Sequence, residues 1–70
     1  MKRVRVKLDK YLPAHNITRY ELARRSGIKF QTIDGYYKNT VVRYDAVNLG
    51  KIAEALDCGI EDILELVDEP

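Results

Sequence analysis

A single cysteine, Cys58, and a single histidine, His15, are all the soft-ligand chemistry this seventy-residue chain contains. Without a second cysteine there is no internal disulfide, and these two residues do not make the spaced Cys and His set that a metal site needs. Cys58 is therefore expected to be a small buried hydrophobe in a reducing cytoplasm. No Ser, Cys or carboxylate stands at a triad-like spacing from His15, so that residue is expected in a loop or at a helix C-terminus, where the dipole favours it. A carboxylate pair and a phosphate-cradling loop are also missing, which makes an enzyme the least favoured class and leaves no cofactor or small-molecule ligand implied. No apolar run approaches the roughly 20 residues of a membrane span. The basic start MKRVRVK continues into LDKYLP instead of an apolar core, so no secretory leader is expected and a cytoplasmic location is.

The chain does have enough apolar content, 46%, for one small globular domain. A domain of this length buries only about 60% of its unfolded surface, so a partner subunit would help it. The net charge of +1 conceals a division. Up to Arg43 there are eleven basic residues against three acidic ones, a net of +8, and from Tyr44 onward one against eight, a net of −7. Either the two halves simply attract each other, or the basic half meets a polyanion.

The most informative stretch runs from Thr18 to Asn39. Thr18 is a good N-cap for a helix bearing Leu22 and Ala23, with Tyr20 or Arg19 one turn earlier, and Glu21 completes a capping box. Gly27 stands where the chain must reverse, a position that often needs a positive φ. A second helix is expected from Phe30 to Lys38, with Ile33, Tyr36 and Tyr37 on one side and Phe30, Gln31, Asp34, Gly35 and Lys38 on the other.

The run ELARRSGIKFQTI resembles the Cro/C1-type helix-turn-helix family of bacterial and phage regulators. Leu22-Ala23, then Gly27-Ile28, then Thr32-Ile33 carry the likeness. Downstream, IAEALDCGIEDILELV is similar to the closing helices of the same small proteins. The resemblance covers about Leu8 to Val67 and implies an all-α, compact five-helix domain of the lambda repressor-like kind, with an N-terminal β-arm as an option. It also implies a transcriptional regulator that binds double-stranded DNA as a homodimer and places the second helix of the motif in the major groove. Carried onto matching positions, Thr18 and Arg19 would anchor a phosphate, and Lys29, Phe30, Gln31 and Gly35 would face bases. Lys38 and Asn39 would meet the following phosphate, with Arg43 and Tyr37 as weaker backbone contacts. Gln31 is the best direct reader, since its amide can both donate to and accept from adenine, and Phe30 could pack on a thymine methyl. Lys29 stands where a Ser or Thr cap is usual, and Asp34 puts a carboxylate beside DNA phosphates. The rival class is an antitoxin-like or adaptor subunit on the same fold, in which an exposed Phe30 would serve a protein interface.

The remaining segments supply cover. Residues 1–7 are expected to be a basic arm, 8–67 the domain and 68–70 a disordered acidic tail. Val4, Val6 and Leu8 alternate with charge, a strand signal with no evident partner; the arm either frays into the first helix or pairs with the same arm of a second subunit. The first helix is expected over Leu8–Ala14, with Leu8, Tyr11 and Leu12 inward. Pro13 either falls near the first turn of a helix starting at about Asp9 or bends it. TVVRYD should be an extended loop. Asp45, or failing that Asn48, caps a fourth helix that buries Leu49, Ile52, Ala53 and Leu56. After Cys58-Gly59 a fifth helix is expected to bury Ile60, Ile63, Leu64 and Val67.

Overall fold

The computed structural model describes residues 1–69. In chain order it has strand β1 (Lys2–Val6), helices α1 (Leu8–Ala14), α2 (Arg19–Ser26), α3 (Phe30–Lys38) and α4 (Ala46–Leu56), a 3-10 turn (Ile60–Asp62) and strand β2 (Leu64–Asp68). The four helices lie where periodicity and capping residues place them. Thr18 Oγ1 accepts from Glu21 N–H at 3.0 Å, and the Asp45 carboxylate accepts from Asn48 N–H at 2.9 Å, which settles the start of α4 at Asp45. Gly27 ends α2 with φ +72°, the left-handed geometry that glycine enters without a Cβ clash. The capping box at Thr18 is only half made, because the Glu21 carboxylate turns to Arg25.

Helix α1 starts at Leu8, so Pro13 falls in its last turn, neither at its first turn nor at a central bend. A missing N–H there removes one late bond, and the chain leaves through His15 and a left-handed Asn16 (φ 55°). His15 ends α1 exposed, its ring stacked on Tyr11 with centroids 3.9 Å apart.

A single core joins Leu8 and Leu12 of α1, Leu22 of α2, Ile33 and Tyr36 of α3, and Ile52 and Leu56 of α4, closed by Val6, Ile28 and Ile63. Tyr36 is buried without stranding its hydroxyl, which accepts from Asp45 N–H at 3.1 Å. Tyr20 is not on the buried stripe of α2; it is exposed, and Leu22 is the buried residue there.

The C-terminal segment corrects the five-helix expectation. Ile60, Ile63, Leu64 and Val67 do not line a helix: one 3-10 turn, braced by Gly59 N–H donating to Asp62 Oδ2 (3.0 Å), ends at Ile63, and residues 64–68 are extended. Leu64-Glu65-Leu66-Val67 satisfies a two-residue period as well as a helical one, and β1 decides between them by offering a free edge. The two strands pair antiparallel, with Val6 opposite Leu64, Val4 opposite Leu66 and Lys2 opposite Asp68. The arm thus neither frays nor waits for another subunit's arm. Nor are Asp68 and Glu69 a loose tail: Asp68 lies in β2 and Glu69 N–H donates to Met1 C=O at 2.8 Å; the rest of that expectation, Pro70, lies outside the described residues.

Candidate nucleic-acid interface

Helices α2 and α3 are joined by three residues, Gly27, Ile28 and Lys29. Ile28 is buried and pins the turn to the core, while its N–H donates to Ser26 Oγ at 3.2 Å. On the inner side of α3, Ile33 and Tyr36 are buried; Lys29, Gln31 and Lys38 are exposed. The apolar residues therefore fix which side chains face away from the domain.

The start of α3 has an uncommon chemistry. Lys29 sits at its N-cap with φ −59° and ψ 143° and makes no side-chain capping bond. Lys29 C=O accepts from the amides of Thr32 and Ile33, but the amides of Phe30 and Gln31 have no acceptor among the described residues. Uncapped donors at a helix N-terminus, beside a lysine without an ion pair among the described residues, attract an anion or an acceptor edge. Phe30 lies alongside, half-buried, stacked on the exposed Tyr20 with centroids 4.1 Å apart and planes 14° from parallel.

Arg19 is held from three sides. Its guanidinium bonds to the Asp34 carboxylate, lies 4.6 Å from the Tyr37 ring centroid, and lies 5.8 Å from that of Phe30. Asp34 in turn takes Lys38 at 3.0 Å. The Lys38 ammonium first, and the Arg19 guanidinium after it, hold the Asp34 carboxyl below the usual carboxylate range, against partial desolvation. The carboxylate expected to repel phosphate is instead the post that orients two cations on one face of α3.

Three expected contact residues prove to have other engagements. The Asn39 side chain accepts from Val6 N–H (2.8 Å) and donates to Val6 C=O (3.0 Å), the pair of bonds a neighbouring strand would make. Asn39 itself is the left-handed C-cap of α3 (φ 58°). Gly35 does not simply leave an open patch, since a Cβ there would stand 3.2 Å from Val41 Cγ2, and its C=O accepts from Thr40 N–H at 3.0 Å. Thr18 is committed to its cap. Arg43 lies exposed in the loop after α3, without an ion pair among the described residues.

Tyr20 was not among the expected site residues, because its placement next to Leu22 suggests packing. The signal that separates the two is register: Tyr20 stands two residues before Leu22, and such neighbours do not share a helix face.

Among the described residues no three His, Cys, Asp or Glu side chains converge as a metal site, and no helix is long and apolar enough to cross a membrane. Burial raises the Cys58 thiol above its ordinary value, with the neighbouring Tyr11 opposing the shift and the acidic residues around it adding to it. The family model described as Cro/C1-type HTH DNA-binding domain matches residues 7–69. No curated protein matches the chain, and no solved structure does.

Proposed function

The chain belongs to the Cro/C1-type helix-turn-helix DNA-binding domain family, and from that premise we propose that it is a transcriptional regulator that places α3 in the major groove of duplex DNA. The observation that carries this reading is the uncapped start of α3, where Lys29, the free amides of Phe30 and Gln31, and the exposed Gln31 amide side chain form one end of an exposed helix. A groove about 12 Å wide admits one helix in this presentation.

In this reading Gln31 is the base reader and Lys29 the cation nearest the base edges. Arg19 and Lys38 contact flanking phosphates from their shared post on Asp34, and Arg43 and Tyr37 add backbone contacts. Phe30, steadied by Tyr20, meets a thymine methyl. Asn39 and Gly35 have a different part: Asn39 fixes the end of α3 to β1, and Gly35 lets the following loop close on the helix. Thr18 presents the first turn of α2 to a phosphate. So few base readers call for two half-sites about one helical turn apart, hence a homodimer, working in the cytoplasm.

The test is a fluorescence-anisotropy titration against duplexes selected from a random pool. Gln31→Ala is expected to lose preference for the selected sequence while retaining general affinity. Arg19→Ala is expected to weaken binding to every duplex and lower the salt slope by about one. Both variants binding like the parent would remove the proposal.

One observation favours the adaptor reading: Asp34 already pairs with two of the cations on this face and offsets one of their charges. No duplex binding even at low salt would decide for it.

A further inference from the structure

Two aromatic rings on the outer face of the helix pair have no part in the core. Tyr20, the second residue of α2, is 69% exposed, and Phe30, the first residue of α3, is half-buried. Neither belongs to the core or to the partly buried residues packed on it; they stack on each other, with centroids 4.1 Å apart and planes 14° from parallel. The stack joins the starts of the two helices. Lys29 and Gln31, the chain neighbours of Phe30, are both exposed.

An apolar wall set among a lysine, a primary amide and free backbone N–H groups gains by being covered, but only by a surface that is apolar at one point and polar or anionic around it. The major groove of a duplex is such a surface. The one apolar group that its base edges carry is the C5 methyl of thymine, among hydrogen-bonding atoms and between two rows of phosphates. Cytosine lacks that methyl, and 5-methylcytosine carries it at the same place in the groove.

We propose that Tyr20 is a specificity-determining residue of this face, acting through Phe30: it holds the Phe30 ring as a wall that takes the C5 methyl of one pyrimidine, so that the chain binds duplex DNA according to whether that base is methylated, as thymine or as 5-methylcytosine. Phe30 alone does not suffice. Its ring lies outside the core, and without a partner it would exchange rotamers in water and lose that freedom on binding. Tyr20 supplies the partner from the other helix, and the Arg19 guanidinium comes within 5.8 Å of the Phe30 centroid. A ring held in this way is in place before DNA arrives. That turns a contact into a reading, because a loose ring would swing into the space left by an absent methyl. The inference rests on the placement of α3 in the groove proposed above, and adds to it the chemical group that the aromatic pair selects.

The test titrates the whole chain against the duplex selected from a random pool, with each thymine in turn replaced by deoxyuridine, which removes the methyl and leaves every hydrogen-bonding group in place. At one position in a half-site the parent is expected to bind the deoxyuridine duplex about fourfold more weakly, the worth of one buried methyl. At that position 5-methylcytosine paired with guanine is expected to bind more tightly than cytosine by a similar factor, which separates the methyl from the base that carries it. Tyr20→Ala should bring both ratios to about one, and Tyr20→Phe, which keeps the stack and loses the hydroxyl, should retain them. Each ratio is taken within one variant, so a general change in affinity cancels, and the exposure of Tyr20 leaves the fold, read by circular dichroism, unchanged. Ratios of one in the parent at every thymine overturn the proposal and, while the selected duplex is still preferred to random DNA, leave the placement of α3 standing. Ratios that survive Tyr20→Ala, or that fall as far in Tyr20→Phe, overturn the part given to the stack. A parent that binds no duplex at low salt overturns both readings and gives the aromatic pair to a protein interface.

Discussion

The sheet and the helix pair use charge in opposite ways. Along the sheet Lys2 and Arg5 face carboxylates on β2 and Arg3 faces Glu69 just beyond it, so these three cations of the basic arm are spent inside the molecule. On the helix pair one carboxylate, Asp34, serves both Arg19 and Lys38, and Lys29 has no acidic partner among the described residues. The division of charge along the sequence therefore has two outcomes. Part of it closes the fold, in line with the mutual-attraction reading, and part of the surplus, Lys29 above all, is left on the face bearing α3. A net positive half is not by itself a binding surface; the surplus that remains after internal pairing is.

The joint between these regions is Asn39, and breaking it should have the largest effect. Asn39→Ala leaves the amide and carbonyl of Val6 without partners, which should cost about 1–3 kcal/mol in urea unfolding. If Asn39 only positions α3, the folded variant should bind duplexes with little change in affinity. A uniform loss of affinity for every duplex at unchanged salt slope, since Asn39 carries no charge, would instead return it to the phosphate-contacting set. Next comes the turn. At Gly27 nothing stands within 4 Å of an added Cβ, so Gly27→Ala tests backbone strain alone and should cost roughly 1–2 kcal/mol at its φ of +72°.

Those two sites were unequally legible in the sequence. Gly27 could be found because a glycine between two amphipathic helices has a local reason to be there. The helices themselves were legible from Leu22, Ile33, Tyr36, Ile52 and Leu56 at helical spacing, and from Thr18 and Asp45 as caps. Asn39 could be placed at the end of α3, but its partner Val6 is thirty-three residues away, and no local pattern announces a side chain that imitates a strand. The same distance hid the sheet. Val4 and Val6 showed the period of a strand, Leu64 and Leu66 showed it too, and only their meeting turns the second set away from a helix. At the candidate site, Lys29 and Gln31 were readable as outward positions, whereas the pairing of Asp34 with Arg19 spans two helices and became visible only in three dimensions.

A smaller effect should come from Asp34. Asp34→Asn releases Arg19 and Lys38 toward phosphate and is expected to strengthen binding to all duplexes several-fold, steepening the salt dependence by up to about one unit. It should also alter the acid limb of stability. The folded carboxyl titrates below the ordinary 3.8, so the fold favours its ionised form. That contribution is complete above the unfolded value and disappears as pH falls through the folded one, so parent and variant should converge in stability at low pH. Unchanged DNA binding by Asp34→Asn would mean that the two cations do not reach phosphate at all.

The smallest effect should be at the far end of the sheet. Lys2 and Asp68 lie 3.0 Å apart, but both side chains are largely in water, where holding two long groups in one geometry offsets most of the Coulomb gain. Lys2→Ala should therefore change unfolding stability by less than about 0.5 kcal/mol.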